Sequence, residues 1–178
     1  LDQFAPVATT IDTAYNFGSG FSIRRNDYTY NLLRSVRRLP NGKILVAGAI
    51  TEFNGSPVKN GSRVPVIRLN IDGTLDTSFT LIDLAGAGVF CMDIDSDGKI
   101  LLGGRDIKIV DPDKSYESII RLNSDGTLDE TFVAPEAYSG FNATHQLDIN
   151  SIKALPDGKV LVAGLFSDWD PTTPGDPW

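Results

Sequence analysis

Residues 66–79 read VIRLNIDGTLDTSF, and residues 119–132 read IIRLNSDGTLDETF. Arg68 matches Arg121, Asn70 matches Asn123, Asp72-Gly73 matches Asp125-Gly126, Asp76 matches Asp129 and Phe79 matches Phe132. A second block precedes each copy, LRSVRRLPNGKILVAG (33–48) and FCMDIDSDGKILLGG (90–104), and occurs a third time as INSIKALPDGKVLVAG (149–164). These three align on Gly42, Gly98 and Gly158, which stand 56 and 60 residues apart. A chain that repeats itself at such a period builds one small supersecondary unit several times, and each unit needs its neighbours to bury its apolar side.

Each unit reads as four short strands. Six positions before the glycine stand Val36, Met92 and Ile152, each followed by a charged residue, Arg37, Asp93 or Lys153, which is the alternation of a half-buried strand. The next stretch, Ile44 to Ala47, Ile100 to Gly103 or Val160 to Ala163, is apolar throughout, as a strand covered on both faces is. Asn41-Gly42, Asp97-Gly98 and Asp157-Gly158 between them predict hairpins closed by two-residue type I′ turns, because these residues tolerate positive φ. IRLN and TLD-x-x-F supply the third and fourth strands on either side of another Asp-Gly, and helix signals are absent. Four-stranded units of this length repeated around an axis are β-propeller blades, whereas β-helix repeats are shorter. The expected fold is all-β, with blades of four antiparallel strands in about three repeats of roughly 53–64 residues.

The boundaries follow from the blocks: residues 1–16 end a preceding repeat, 17–79 form repeat 1, 80–132 repeat 2, and 133–178 an incomplete repeat 3. Both ends fall in mid-repeat, so the reading is one continuous propeller-like domain within a longer chain. Propellers usually have about 4–8 blades, so three do not close a ring. Other copies or the remaining blades of the same protein are therefore the expected partners, covering open sheet edges.

DGKILVAG followed by IRLN-x-DGTLD-x-x-F resembles the delta-60 repeat, a propeller-type family of bacterial secreted and surface proteins and of some phage virion proteins. The similarity spans nearly the whole chain except roughly residues 1–10 and the variable loops. It implies a propeller fold and an extracellular setting, on a cell surface or in a virion such as a tail fibre, and carries no catalytic residues across. The long lead FGSGFSIRRNDYTYNLL (17–33) departs from the family pattern.

Composition narrows the function classes. The 178 residues include 41% hydrophobic and 22% charged residues, an ordinary globular balance with enough apolar material for a core. No stretch is apolar enough to span a bilayer. The net charge of −7 repels phosphates at long range and disfavours nucleic acid as a partner. The one basic run, Arg24, Arg25, Arg34, Arg37 and Arg38 among Phe21, Tyr28 and Tyr30, reads as a solvated strand face with local ion pairs. Cys91 is the single cysteine, which leaves neither a disulfide nor Cys/His metal spacing to assemble.

Candidate sites are few. Asp93, Asp95 and Asp97-Gly98 fit the D-x-D-x-D-G opening of a calcium loop, but the twelfth position holds Gly104 in place of a bidentate Glu, and flanking helices are missing. Sister units place Arg37 and Lys153 at the first of these positions and Leu39 and Leu155 at the second, so Asp93 and Asp95 remain only as candidate ligands of a less formal Ca²⁺ site. Recurring Asp72, Asp76, Asp125 and Asp129 read as turn-builders, with Arg68 and Arg121 as their ion-pair partners. His145, the only histidine, lacks a nucleophile elbow to serve, and no phosphate loop or dinucleotide fingerprint occurs. The loops between second and third strands vary most and make the natural binding edge, where Trp169 with Asp168 and Asp170 suits a surface glycan. Asn54, Asn60 and Asn142 head glycosylation sequons, of which the first two also read as Asn-Gly turns. The function expected is a non-catalytic extracellular scaffold for adhesion or assembly. A glycan-binding module is the alternative, and a carboxylate-based hydrolase or lyase stands behind both.

Overall fold

The structure is a computed structural model that describes residues 21, 33–60, 62–109, 118–134 and 147–166. These hold ten strands and no helix. The first sheet orders β1 (Leu33–Arg38), β2 (Ile44–Ile50) and β5 (Val64–Leu69); the second orders β6 (Leu84–Ile94), β7 (Ile100–Ile109) and β8 (Ile119–Leu122). A third pairs β9 (Leu147–Ala154) with β10 (Val160–Phe166), and β3 (Glu52–Phe53) pairs with β4 (Ser56–Pro57) in a small hairpin. All pairings are antiparallel.

Register explains the stacking. Val36, Val46 and Ile67 stand opposite one another on one face of the first sheet, and Arg37, Leu45 and Arg68 on the other. The second face carries Leu45, Ala47 and Val66 into a core shared with Met92, Leu102 and Ile120 of the second sheet. That sheet turns Cys91, Leu101 and Ile119 the other way, onto Ile149, Ile152 and Val162 of the third. Strand β6 lies against β1, β2 and β5, and β9 against β6 and β7, so each sheet receives the leading strand of the next.

One irregularity recurs. Each leading strand bulges at the same rank, leaving Arg34, Phe90 and Asn150 without an opposite partner. The glycine that ends each apolar strand sits against this bulge. A Cβ on Gly104 would lie 2.1 Å from the Gly88 carbonyl oxygen, and one on Gly164 would lie 1.8 Å from that of Asp148. Glycine recurs there because the bulged backbone occupies the place of a side chain.

Three expectations need correction. The segment read as a fourth strand contributes a single bridge per unit, Leu69 to Leu75 and Leu122 to Leu128, so the two complete sheets have three strands each. Asp76 N–H donating to the Arg68 carbonyl at 2.8 Å is the last bond of that bridge, and the chain turns away beyond it because the Asp76 carboxylate accepts from Ser78 N–H at 3.1 Å and the Asp76 carbonyl from Phe79 N–H at 3.2 Å. The turns at Asn41-Gly42, Asp97-Gly98 and Asp157-Gly158 are not type I′, since only the glycines have positive φ (82°, 77° and 81°). Gly42 N–H donates to the Leu39 carbonyl and Leu39 N–H to the Lys43 carbonyl, which makes a three-residue loop with its glycine in the left-handed region. The type I′ geometry occurs at Asn54-Gly55, the tip of β3–β4, with φ of 51° and 74°. Finally, the apolar strand is covered on both faces in β2 and β7 but not in β10: Leu45 and Leu101 are 0% and 1% exposed, and their equivalent Leu161 is 61% exposed.

Candidate functional site

The chemistry-bearing side chains of the described residues gather at the junctions between sheets. Asp76 is buried beneath the Asp-Gly turn and accepts from Lys43 Nζ at 2.7 Å, Arg68 Nε at 2.6 Å and Ser78 Oγ at 2.7 Å. The next unit repeats the node, with Asp129 accepting from Lys99 Nζ at 2.8 Å, Arg121 Nε at 2.7 Å and Thr131 Oγ1 at 2.6 Å. Each arginine also lies over the phenylalanine that closes its unit, 4.8 Å from the Phe79 ring and 4.9 Å from the Phe132 ring. Burial works against ionisation of Asp76, but Lys43, Ser78 and Arg68 outweigh it and hold the carboxyl well below the usual range. Asp129 is held below that range chiefly by Lys99 and Thr131. Carboxylates so strongly biased toward the anion are poor proton donors or acceptors near neutral pH.

The node reaches between units. Arg68 Nη1 donates to the Ser124 carbonyl at 2.7 Å, and Thr80 N–H donates to the Asp125 carbonyl at 2.7 Å, both in the turn of the second unit. That turn is fixed by Asp125, which accepts from Thr127 N–H and Oγ1 at 2.9 and 2.7 Å, as Asp72 does from Thr74 at 3.0 and 2.7 Å. The recurring aspartates thus build turns, as their repetition implied. The specific ion-pair partners are Asp76 for Arg68 and Asp129 for Arg121.

Asp93 and Asp95 have separate tasks. Asp93 is buried and accepts from Ala154 N–H at 2.9 Å and from Lys153 Nζ at 2.8 Å, with Arg37 Nε 3.8 Å away on its other side. One acid therefore stands between two basic residues of the same rank in the flanking units. Burial opposes its charge, but Lys153 and the Ala154 amide prevail and lower its pKa. Asp95 instead accepts from Asp97 N–H at 3.0 Å and Lys99 N–H at 2.9 Å. In the sister units Asn41 and Asp157 perform that capping, on Lys43 N–H at 3.1 Å and Lys159 N–H at 3.2 Å. The substitution at 95 moves the cap two residues upstream. Both candidate calcium ligands are engaged by nitrogen donors, and among the described residues no group of three or more His, Cys, Asp or Glu side chains is placed to hold a metal.

The bulges aim other side chains along the leading strands. The Arg34 guanidinium lies 5.2 Å from the Phe90 ring centroid and that of Arg105 6.0 Å from it, while Arg105 pairs with buried Asp148. That pairing raises the arginine's pKa. Sequence reasoning missed Phe90, Arg105 and Asp148, because the bulge that gathers them leaves no residue-type signal. The Cys91 thiol, facing the Ile149 carbonyl at 3.4 Å, is pushed up to about 11 by burial, which removes it as a nucleophile. Trp169, Asp168 and Asp170, like His145, Asn142, Arg24, Arg25, Tyr28 and Tyr30, lie outside the described residues.

The comparisons with known proteins address the same blocks. Residues 39–79 and 96–132 match the family model described as Domain of unknown function (DUF5122) beta-propeller. The repeats are of β-propeller type. Each matched segment begins near the capped turn and ends on the phenylalanine under the arginine, Phe79 or Phe132, so it contains the whole Arg–Asp–Lys node. No curated protein and no solved structure matches the chain.

Proposed function

We propose that this propeller-type protein is a non-catalytic scaffold for assembly or adhesion. The observation that carries the reading is where its charges and its bare apolar residues lie. Buried Asp76, Asp93, Asp129 and Asp148 are each neutralised by a cation within the chain, whereas β1 and β10 leave Leu33, Val36, Leu161 and Leu165 exposed. A protein that satisfies its buried carboxylates internally and bares aliphatic rows on these two strands is built to have them covered by further polypeptide. The resemblance to delta-60 repeats supports an extracellular or virion setting for that assembly.

Sedimentation and electron microscopy of the purified chain test the reading. Assembled particles that form with rising concentration support it. A compact monomer at every concentration, together with turnover in a panel of glycoside and ester substrates, would sink it.

A further inference from the structure

We propose that the bulges of the three leading strands form a binding site for an acidic sugar, in which Arg34 holds the carboxylate, Phe90 the apolar face of a ring and Asn150 a hydroxyl. This names a ligand for the adhesion half of the proposed function and rests on it; the assembly half does not depend on it.

Each leading strand inserts one residue with no partner opposite, Arg34 in β1, Phe90 in β6 and Asn150 in β9. A bulge takes a side chain out of the alternation of its strand and re-aims it, which is why bulges collect beside functional sites. Residues of equal rank on consecutive leading strands are neighbours, as Asp93 shows by standing 3.8 Å from Arg37 Nε and 2.8 Å from Lys153 Nζ. The bulge rank follows the same rule, since the Arg34 guanidinium lies 5.2 Å from the centre of the Phe90 ring. Strand β9 lies against β6, so the repeat places Asn150 next in the row. The order is cation, ring, amide.

This row differs from the Arg–Asp–Lys nodes in two ways. The node has the same arginine, aspartate and lysine in both of its copies, as a structural device repeated with the fold does, whereas the bulge keeps its backbone and changes its side chain in every unit. Arg68 and Arg121 also lie over phenylalanines, but each spends its charge on buried Asp76 or Asp129. Arg34 is exposed and meets no carboxylate among the described residues. Arg105, the second cation near Phe90, turns Nε and Nη2 onto buried Asp148 and is neutralised there. One free guanidinium is left to the row.

Chemistry selects the ligand. A guanidinium presents paired N–H donors that match a carboxylate or a phosphate. In a chain of net charge −7 the long-range field repels a doubly charged phosphate more than a singly charged carboxylate. Half-buried Phe90 offers apolar surface to the C–H face of a sugar ring, and exposed Asn150 carries both a donor and an acceptor for hydroxyls. Stacked sheets lie about 10 Å apart, so a row that crosses three of them takes a short oligosaccharide.

Isothermal titration calorimetry with trimers of galacturonate, glucuronate and mannuronate tests the site, with their methyl esters, inorganic phosphate and free glutamate as comparisons. At least one trimer should bind wild type, with its ester, phosphate and glutamate each about tenfold weaker or more. Arg34→Gln should weaken that trimer by about tenfold, and Phe90→Leu and Asn150→Ala by about threefold or more. Arg38→Gln removes the same charge from β1 away from the bulge and should leave binding within about twofold. Arg34, Asn150 and Arg38 are exposed, so those variants keep the wild-type melting temperature and the comparison does not rest on Phe90 alone. Equal losses in Arg34→Gln and Arg38→Gln overturn the site in favour of diffuse charge. An ester, phosphate or glutamate that binds as well as the trimer overturns the acidic sugar as ligand. Absence of binding by every trimer overturns the site, while assembled particles in the same sample leave the scaffold reading standing.

Discussion

Replacing Asp93 separates an ion-pair staple between repeats from a residual metal ligand. Its carboxylate accepts one backbone N–H, that of Ala154, and one ammonium, that of Lys153, whose side chain is 63% exposed. The pair with so exposed a lysine contributes at most about 1 kcal/mol. The bond from Ala154 N–H to a charged acceptor contributes about 1.5–3 kcal/mol, and a neutral acceptor keeps roughly half of that. Asp93→Asn therefore costs about 1–2 kcal/mol, since the amide oxygen still serves Ala154. Asp93→Ala costs about 2–4 kcal/mol, because the N–H loses its partner and a small void opens. Asp93→Lys, which copies the sister units, places a third cation between Arg37 and Lys153 and costs more than about 4 kcal/mol. Urea denaturation at pH 7 and low protein concentration measures all three. The sign with pH follows from the depressed pKa: the contribution is complete above the ordinary carboxylate value of 3.8 and is lost as pH falls below it. Wild type should lose its advantage over Asp93→Asn on acidification below about pH 4. Equal stability of the Lys and Asn variants would refute the staple, and so would a Ca²⁺-induced rise in wild-type Tm that Asp93→Asn abolishes.

Three further outcomes are expected. Leu101→Ala costs about 3 kcal/mol, while Leu161→Ala, at the same rank, costs less than about 1 kcal/mol under monomeric conditions; equal losses on thermal or urea denaturation would mean that the face of β10 is covered. Gly104→Ala destabilises by at least about 2 kcal/mol, because its Cβ meets the Gly88 carbonyl oxygen at 2.1 Å and the bulge must open; a wild-type melting temperature would refute the close approach. Asp129→Asn leaves Arg121 and Lys99 sharing a neutral acceptor and costs about 2–3 kcal/mol at pH 7. That loss shrinks as pH falls below 3.8, because the unfolded wild-type chain then takes up a proton that the folded carboxylate still refuses, and urea midpoints at pH 7 and pH 3 check it.

Much of the fold was legible because repetition exposes what each position does. Leu45, Leu101 and Leu161 share one sequence context, and the unbroken apolar run around each placed them correctly on the second strand of its unit. What differs among them, burial, depends on a neighbouring sheet that no local pattern announces. The turn geometry was misread for a local reason. Asn-Gly and Asp-Gly fit two registers, and the three-residue loop is selected by Leu39, Asp95 and Leu155, each of which bonds across it from both backbone groups. The fourth strand was over-read because TLD has strand-like composition, while Asp76 and Asp129 spend their carboxylates ending the strand.

The candidate site was legible only in part. Comparing units isolated Asp93 and Asp95 as the acidic departures, which is correct, and suggested a cation as their common partner. The structure divides them, because one faces Lys153 and Ala154 of the next repeat and the other caps its own turn. Long-range partners such as Lys153, sixty residues away in sequence, become visible only when the junction is assembled.

Hydrogen–deuterium exchange at low and high protein concentration tests most directly the proposal that the exposed rows on β1 and β10 are assembly surfaces. Protection in residues 33–38 and 160–166 should rise together with concentration, while β6 and β7 in the completed interior stay unchanged. Exchange in both strands that is independent of concentration, or protection gained by only one of them, would contradict it.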